Sequence, residues 1–292
     1  MLDLVTFGEI LWDVIDEKAH IGGAPFNLAA HAAQCGLNVA TVSRIGDDAL
    51  GRAALTEMAR FGVSHCWTAV DHAQPTGTVT VTLREGQPSY TIHENVAWDF
   101  IEVSTEASRQ LCDSHPRVFC FGTLAQRGAV SRATLDALLH ALPSTATFYD
   151  VNLRQHYWSA PLVDASLARA TIVKVNADEA HVLGGLLFAG ACTPEAFGAA
   201  VLARHPAHTV LVTLGADGCV VCERGRPATH CPSPRIDVAD TVGAGDAFSA
   251  AFLAAWLQTA TAREAATAGN ARGAWVASQR GAVPTEQTIE RK

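Results

Sequence analysis

Short apolar runs alternate with helical stretches along the second half of the chain, and this rhythm limits the fold more than any other feature. Val118–Phe121, Thr147–Tyr149, Ile172–Val175 and Thr209–Leu214 read as strands. Arg127–Ala141, Leu162–Ala170, Ala177–Leu183 and Pro194–Ala203 read as helices between them, and Cys219–Cys222 follows as a further strand. Such alternation specifies an α/β architecture, a mostly parallel central sheet with helices on both faces. Upstream, Leu4–Phe7 and Val39–Ser43 are strands, and Asp47–Phe61 is an amphipathic helix opened by an acidic pair. No repeat, linker or low-complexity tract interrupts residues 1–292, so one domain is expected.

One segment breaks the rhythm. Thr78–Leu83 alternates polar and apolar residues, Glu85-Gly86-Gln87-Pro88 turns, and Ser89–His93 returns, which predicts a β-hairpin. It reads as part of a small β lid, built from about 10–20 and 66–98, that closes over a bound molecule and excludes water. An edge hairpin with no functional motion is the other reading.

Composition narrows the class of partner. Hydrophobic content of 49% with 17% charged residues is that of a globular enzyme, and a formal net charge of -8 without a basic tract disfavours nucleic acid. No stretch approaches the roughly 18 apolar residues that span a bilayer. Met1–Val5 opens directly on a strand pattern without a basic leader, so no membrane and a cytoplasmic location are expected. Eight scattered cysteines read as reduced thiols; Cys219 and Cys222 form a CxxC near His230-Cys231, where buried strand cysteines are preferred over a zinc site.

Ligands in sheets of this kind bind beyond the carboxyl ends of the strands, and polar clusters fall there. Asp150-Val151-Asn152-Leu153-Arg154 follows a strand, and its Asp, Asn and Arg at alternate positions are read as sharing one face; a capped turn explains them equally well. Asn176-Ala177-Asp178-Glu179 reads as a helix N-cap with an acid at its third position. Thr213-Leu214-Gly215-Ala216-Asp217-Gly218 is a glycine turn between strands, of type I′ or II′ form. Near the N-terminus, Gly22-Gly23-Ala24-Pro25-Phe26-Asn27-Leu28-Ala29 makes a sharp turn into a helix that stops at Gly36, with Asp13 upstream.

The strongest single stretch is Asp240-Thr241-Val242-Gly243-Ala244-Gly245-Asp246-Ala247-Phe248, a glycine loop running into the apolar helix Ala247–Leu257. Glycines permit close backbone approach, and the first amides of a helix lack intrahelical partners, so together they cradle an anion. No Gly-Lys-Ser/Thr follows, which excludes a Walker A loop, and Phe248 stands where a dinucleotide fingerprint needs its third glycine. An ordinary helix start with an acid in its first turn is the plain alternative.

The nine-residue stretch resembles the C-terminal signature of the PfkB (ribokinase-like) carbohydrate kinases, and Gly22, Gly23, Asn27 and Ala29 resemble its N-terminal signature. Resemblance extends over essentially the whole chain. It implies a ribokinase-like fold, ATP and Mg2+, and Asp246 as catalytic base with Gly243, Ala244 and Gly245 forming the anion hole. Arg154 becomes a phosphate clamp, and Asp13, Gly23, Asn27, Asp150 and Asn152 become sugar-binding residues. Asn176, Thr213, Gly215, Gly218 and Asn270 are assigned to the nucleotide, Glu179 to magnesium through water, and Asp240 with the Val242 backbone to a potassium ion. Gly22-Gly23-Ala24-Pro25 and Asp-x-Asn-x-Arg look like the fructokinase branch, so D-fructose is the expected acceptor. 2-Keto-3-deoxygluconate, ribose, a nucleoside or a non-catalytic sugar-binding role are the alternatives, and the lid hairpin is a candidate for homodimer pairing.

Overall fold

The computed structural model describes residues 2–15, 18–84, 87–259 and 261–285. It consists of two compact units, Met1–Thr145 and Ala146–Lys292.

The first unit contains, in chain order, β1 (Leu4–Phe7), β2 (Leu11–Ile15), β3 (Lys18–Gly22), α1 (Ala24–Gln34), β4 (Val39–Gly46), α2 (Ala49–Arg60) and β5 (Val63–Asp71). It continues with β6 (Gly77–Arg84), β7 (Gln87–Ile92), α3 (Thr105–Asp113), β8 (Val118–Gly122) and α4 (Ala129–Ala141). β1 pairs in parallel with β4 and with β8, and β5 adds in parallel outside β4. β1 and β8 are nearly continuous apolar runs because both faces are covered: Leu4, Val5, Phe7, Val118 and Phe119 are fully buried. α2 opens as expected at Asp48, whose side chain accepts the Gly51 N–H.

β2, β3, β6 and β7 form a separate sheet in the order β3-β2-β6-β7. β6 and β7 are the antiparallel hairpin expected at Thr78–His93; the turn residues 85 and 86 lie outside the described residues. The lid range is corrected at its start. Residues 66–71 belong to β5, in register with β4 of the other sheet, and the second sheet resumes only at Gly77. Next to β7, Arg127 forms a buried ion pair with Asp99 at 2.7 Å, stacks on Trp98 and donates to the His93 carbonyl at 2.5 Å.

The second unit contains β9 (Ala146–Asp150), α5 (Ala160–Leu167), β10 (Ile172–Asn176), α6 (Ala177–Leu187), α7 (Pro194–Arg204) and β11 (Thr209–Thr213). β12 (Cys219–Glu223), β13 (Thr229–Cys231), α8 (Ala244–Thr259) and α9 (Ala262–Ala277) complete it. β9, β10 and β11 are parallel, and β12 and β13 extend the sheet antiparallel. The parallel strands carry β-branched and aromatic residues, and Phe148, Tyr149, Val173, Val175, Val210 and Val212 are fully buried. The mostly parallel α/β arrangement is the one the alternation specifies. Among the described residues no helix is long and apolar enough to cross a membrane.

Candidate active site

The helix after the glycine loop begins earlier than its apolar run. α8 starts at Ala244, and its first bond runs from the Ala247 N–H to the Gly243 carbonyl. Ala244, Gly245 and Asp246 therefore form the first turn, with amides outside the helical ladder. One of them is partly used, since the Ala244 N–H reaches the Thr241 carbonyl at 3.3 Å. Gly243 has φ +77, and a Cβ there would lie 2.2 Å from the Ala282 carbonyl oxygen, so only glycine fits. Gly245 is exposed and Asp246 half-buried.

α9 sets where this first turn lies. A Cβ on Gly273 would meet the Ala244 carbonyl oxygen at 3.0 Å, and one on Gly269 would meet the Phe248 ring at 2.8 Å. The two glycines let the helix axes approach closely.

Beneath the turn lies a buried charged cluster that the sequence reading missed. Lys174 and Asp150 are register partners on β10 and β9, and Lys174 Nζ stands 3.1 and 3.0 Å from the two Asp150 carboxylate oxygens. Ser249 Oγ, one turn into α8, is 3.2 Å from Asp150 Oδ2 and 3.1 Å from the Gly245 carbonyl. Burial pulls the Lys174 ammonium toward neutrality, but attraction by Asp150, then Glu179 and Asp246, outweighs it and raises its pKa. Lys174 was detectable in principle: a lysine inside Ile172-Val173-Lys174-Val175 is a charge in a fully buried strand, which requires a counter-charge.

The reading of Asp150, Asn152 and Arg154 as one polar face is corrected. Asp150 is buried against Lys174 and Ser249, Asn152 is half-buried with φ +44, and Arg154 is exposed, its Nη1 donating to the Leu153 carbonyl. The left-handed conformation of Asn152 turns the chain between them.

Asn176 and Glu179 make the reciprocal capping box in full. Asn176 Oδ1 accepts the Glu179 N–H and Glu179 Oε2 accepts the Asn176 N–H, both at 2.8 Å. Glu179 Oε1 accepts the Leu153 N–H at 2.8 Å. Burial is the largest influence on Glu179 and raises its pKa, against the pull of Lys174 and of the backbone N–H groups.

The nucleotide candidates lie at the β11–β12 connection and on α9. Thr213 Oγ1 donates to the Val175 carbonyl at 3.3 Å. The expected two-residue-type turn is instead a 3-10 turn, Gly215–Asp217, with positive φ at its first residue, Gly215, and at Gly218 just after it. Gly215 is exposed with open space where a Cβ would stand, whereas a Cβ on Gly218 would strike the Cys231 carbonyl at 2.1 Å. Asn270 is buried, not exposed as a mid-helix Asn usually is, and its Nδ2 donates to the carbonyls of Cys231 and Pro232. It fixes the chain leaving β13.

Asp240 accepts the Val242 N–H on Oδ1 and the Gly281 N–H on Oδ2, at 3.0 and 3.1 Å. Cys219 and Cys222 fall on opposite faces of β12, since strand side chains alternate, and cannot converge on one ion. Burial pushes the Cys219 thiol up to about 12 and the Cys222 thiol to about 11.

In the first unit the sugar candidates gather round one turn. Gly23 has φ +104 and caps α1, and a Cβ there would lie 2.3 Å from the Glu9 carbonyl oxygen. A Cβ on Gly22 would lie 2.7 Å from Asp13 Oδ2, so the Asp13 carboxylate stands against the glycine pair. Asn27 is buried in the first turn of α1, its N–H bonded to the Gly23 carbonyl at 2.8 Å.

The family model described as pfkB family carbohydrate kinase matches residues 2–289. The chain belongs to the PfkB family. It is a carbohydrate kinase, and the two signature regions described above are the ones by which it resembles that family. Fructokinase-1 of Oryza sativa subsp. japonica is 30% identical, over 98% of this chain and 94% of that protein. A solved structure of similar fold is the fructokinase with bound ATP from Xylella fastidiosa, with a TM-score of 0.84, 22% identity, and coverage of 96% of this chain and 93% of that one. The aminoimidazole riboside kinase of Salmonella enterica, complexed with aminoimidazole riboside and an ATP analogue, gives 0.79 at 24% identity and 98% coverage of both chains. These likenesses show the ribokinase-like fold.

Proposed function

We propose that this kinase transfers the γ-phosphoryl group of ATP to a primary hydroxyl of D-fructose. The observation that carries the mechanism is the start of α8, where a half-buried carboxylate, Asp246, stands in the same turn as amides outside the helical ladder. Such a turn can hold the moving PO3 group while the carboxylate takes the acceptor's proton. Phosphoryl transfer passes through a loose transition state in which positioning and charge stabilisation do most of the work. The hydroxyl proton then leaves late, and an ordinary carboxylate is base enough.

Asp13 and Asn27, at the Gly22–Gly23 turn, orient the sugar; Asn152 and Arg154 supply further polar contact, Arg154 to phosphate oxygens. Thr213, Gly215 and Gly218 lie along the nucleotide, and Asn176 and Asn270 support that region through the backbone bonds they make. Magnesium supplies charge neutralisation on the phosphates when bound. Glu179, with each oxygen already accepting a backbone N–H, fits an outer shell reached through water better than direct ligation. The carboxylate that a potassium ion would need, Asp240, already accepts two backbone N–H groups, which makes it a poor fit for that ion.

Fructose is supported by the similarity to the rice fructokinase over nearly the full length of both chains. Ribose, 2-keto-3-deoxygluconate and nucleosides are the competing acceptors, since a neighbour of the same fold is a riboside kinase. The β3-β2-β6-β7 sheet serves as the lid, and exposed Tyr90 on β7 suits it to pairing between subunits. A cytoplasmic location goes with this reading because ATP is the donor. A coupled ADP-release assay across these acceptors tests it, with fructose expected to give the highest kcat/KM. Asp246→Asn is expected to cut kcat by about 10²–10⁴ while ATP still binds. Turnover retained by that variant would remove Asp246 as the base.

A further inference from the structure

Lys174 is the buried charge that the mechanism above leaves unused. Its side chain is 9% exposed and lies within hydrogen-bond distance of both Asp150 oxygens, while Ser249 holds Asp150 from the α8 side. A carbon added at Gly245 would sit 3.2 Å from Lys174 Nζ. Gly245 is exposed, so its missing side chain is a one-atom gap between the buried ammonium and the N-terminal face of α8.

Charge balance gives that gap a meaning. Asp150, Glu179 and Asp246 all act electrostatically on Lys174. With every group ionised, and before magnesium is counted, three carboxylates and one ammonium leave a net charge of about -2, which repels an arriving phosphoryl group. The helix end offsets only about half a charge. Nor does stability account for a buried lysine here, because an apolar pair of similar volume serves a fold at least as well.

We propose that Lys174 is a catalytic cation of the phosphoryl site: through the gap at Gly245 its ammonium lies against the group in transit and offsets the charge on its oxygens. Asp150 and Ser249 position it. The inference rests on reading the start of α8 as the phosphoryl site. In the step, the bond from phosphorus to the ADP oxygen breaks and the bond to the sugar oxygen forms. The hydroxyl proton passes to Asp246, and Lys174 keeps its protons throughout.

The test is a pair of variants, Lys174→Met and Lys174→Met/Asp150→Asn, each checked for an unchanged circular dichroism spectrum. If Lys174 only neutralises Asp150, the double variant lacks both charges and regains wild-type kcat. If it acts on the phosphoryl group, the double variant stays down by about 100-fold or more in kcat, with KM for ATP changed far less. Recovery to within about threefold overturns the proposal. Where the methionine variants misfold, Lys174→Gln/Asp150→Asn replaces the pair with neutral amides.

A binding measurement separates this from the sugar assignment. Fluoroaluminate, which mimics the PO3 group in flight, is expected to tighten ADP binding to the wild type by at least about tenfold, and to the double variant hardly at all. Loss of turnover on every sugar, with that tightening intact, removes the acceptor assignment and leaves Lys174 in place. Equal tightening in both proteins, or none in the wild type, overturns the role of Lys174.

Discussion

Gly243→Ala tests whether the position of the first turn of α8 sets the rate. At φ +77 an alanine carries about 1–2 kcal/mol of left-handed strain. Its Cβ would lie 2.2 Å from the Ala282 carbonyl oxygen and 2.7 Å from the Ala282 Cα. Carbon and oxygen ordinarily approach no closer than about 3.3 Å, so the two segments must separate by about 1 Å. Both clashing atoms are backbone, and no rotamer change relieves the contact. A shift of that size at a reacting centre costs about 100-fold in rate. Strain of about 2 kcal/mol lowers Tm by about 4–8 °C, leaving the protein folded at 25 °C. Steady-state kinetics by coupled ADP release, beside a thermal melt, reads both numbers. Gly185→Ala is the control: nothing lies within 4 Å of a Cβ there, and in the interior of α6 alanine stabilises by about 1 kcal/mol. A Gly243→Ala enzyme with wild-type kcat and Tm would refute the idea that this turn is held to within an ångström.

Three further outcomes are expected. Glu179→Ala deprives the Leu153 and Asn176 N–H groups of their acceptor, so urea unfolding should show a loss of about 3 kcal/mol, with Glu179→Gln losing about half of that; equal stability of all three proteins removes the capping role. Asp48 feels burial most, which raises its pKa, yet bonds from the Thr76 and Gly51 N–H groups and the Thr76 hydroxyl bring it below the ordinary carboxylate value. Its contribution is therefore complete above the unfolded pKa of about 4 and is lost as pH falls through the lower folded value; Asp48→Asn should flatten acid unfolding below pH 4, and an unchanged acid limb counts against the linkage. At pH 8 iodoacetamide should label exposed Cys66 rapidly and spare Cys219 and Cys222, whose thiols are buried and pushed to about 12 and 11; mass spectrometry finding the last two labelled in folded protein contradicts their placement.

Much of this arrangement is legible in residue order because the signals are local. The second-unit strands are apolar runs whose period and length separate them from the helices between, and the glycine turns at 22–23 and 243 signal the positive φ found at Gly23 and Gly243. Elements without such signals are not legible in this way: β5 alternates weakly and is exposed or half-buried along most of its length, and β13 is a three-residue antiparallel edge. α3 carries a single buried residue, Leu111, so it shows little apolar stripe. The charged cluster was hidden for another reason. Lys174 and Asp150 stand 24 positions apart and meet only through the pairing of β9 with β10, which neither segment encodes alone. The burial of Asn270 is equally unreadable in residue order, because its partners, two carbonyls nearly 40 positions away, exist only once α9 lies against the end of β13.

Gly269 and Gly273 extend the site beyond anything that meets a ligand. They hold α9 against Phe248 and the Ala244 carbonyl, so a methyl group at either position levers the first turn of α8 outward from behind. A genetic screen for inactive enzymes should accordingly return these two rear-side positions alongside the residues of the signature loop, and suppressors of a Gly269 lesion should arise as smaller side chains at Phe248.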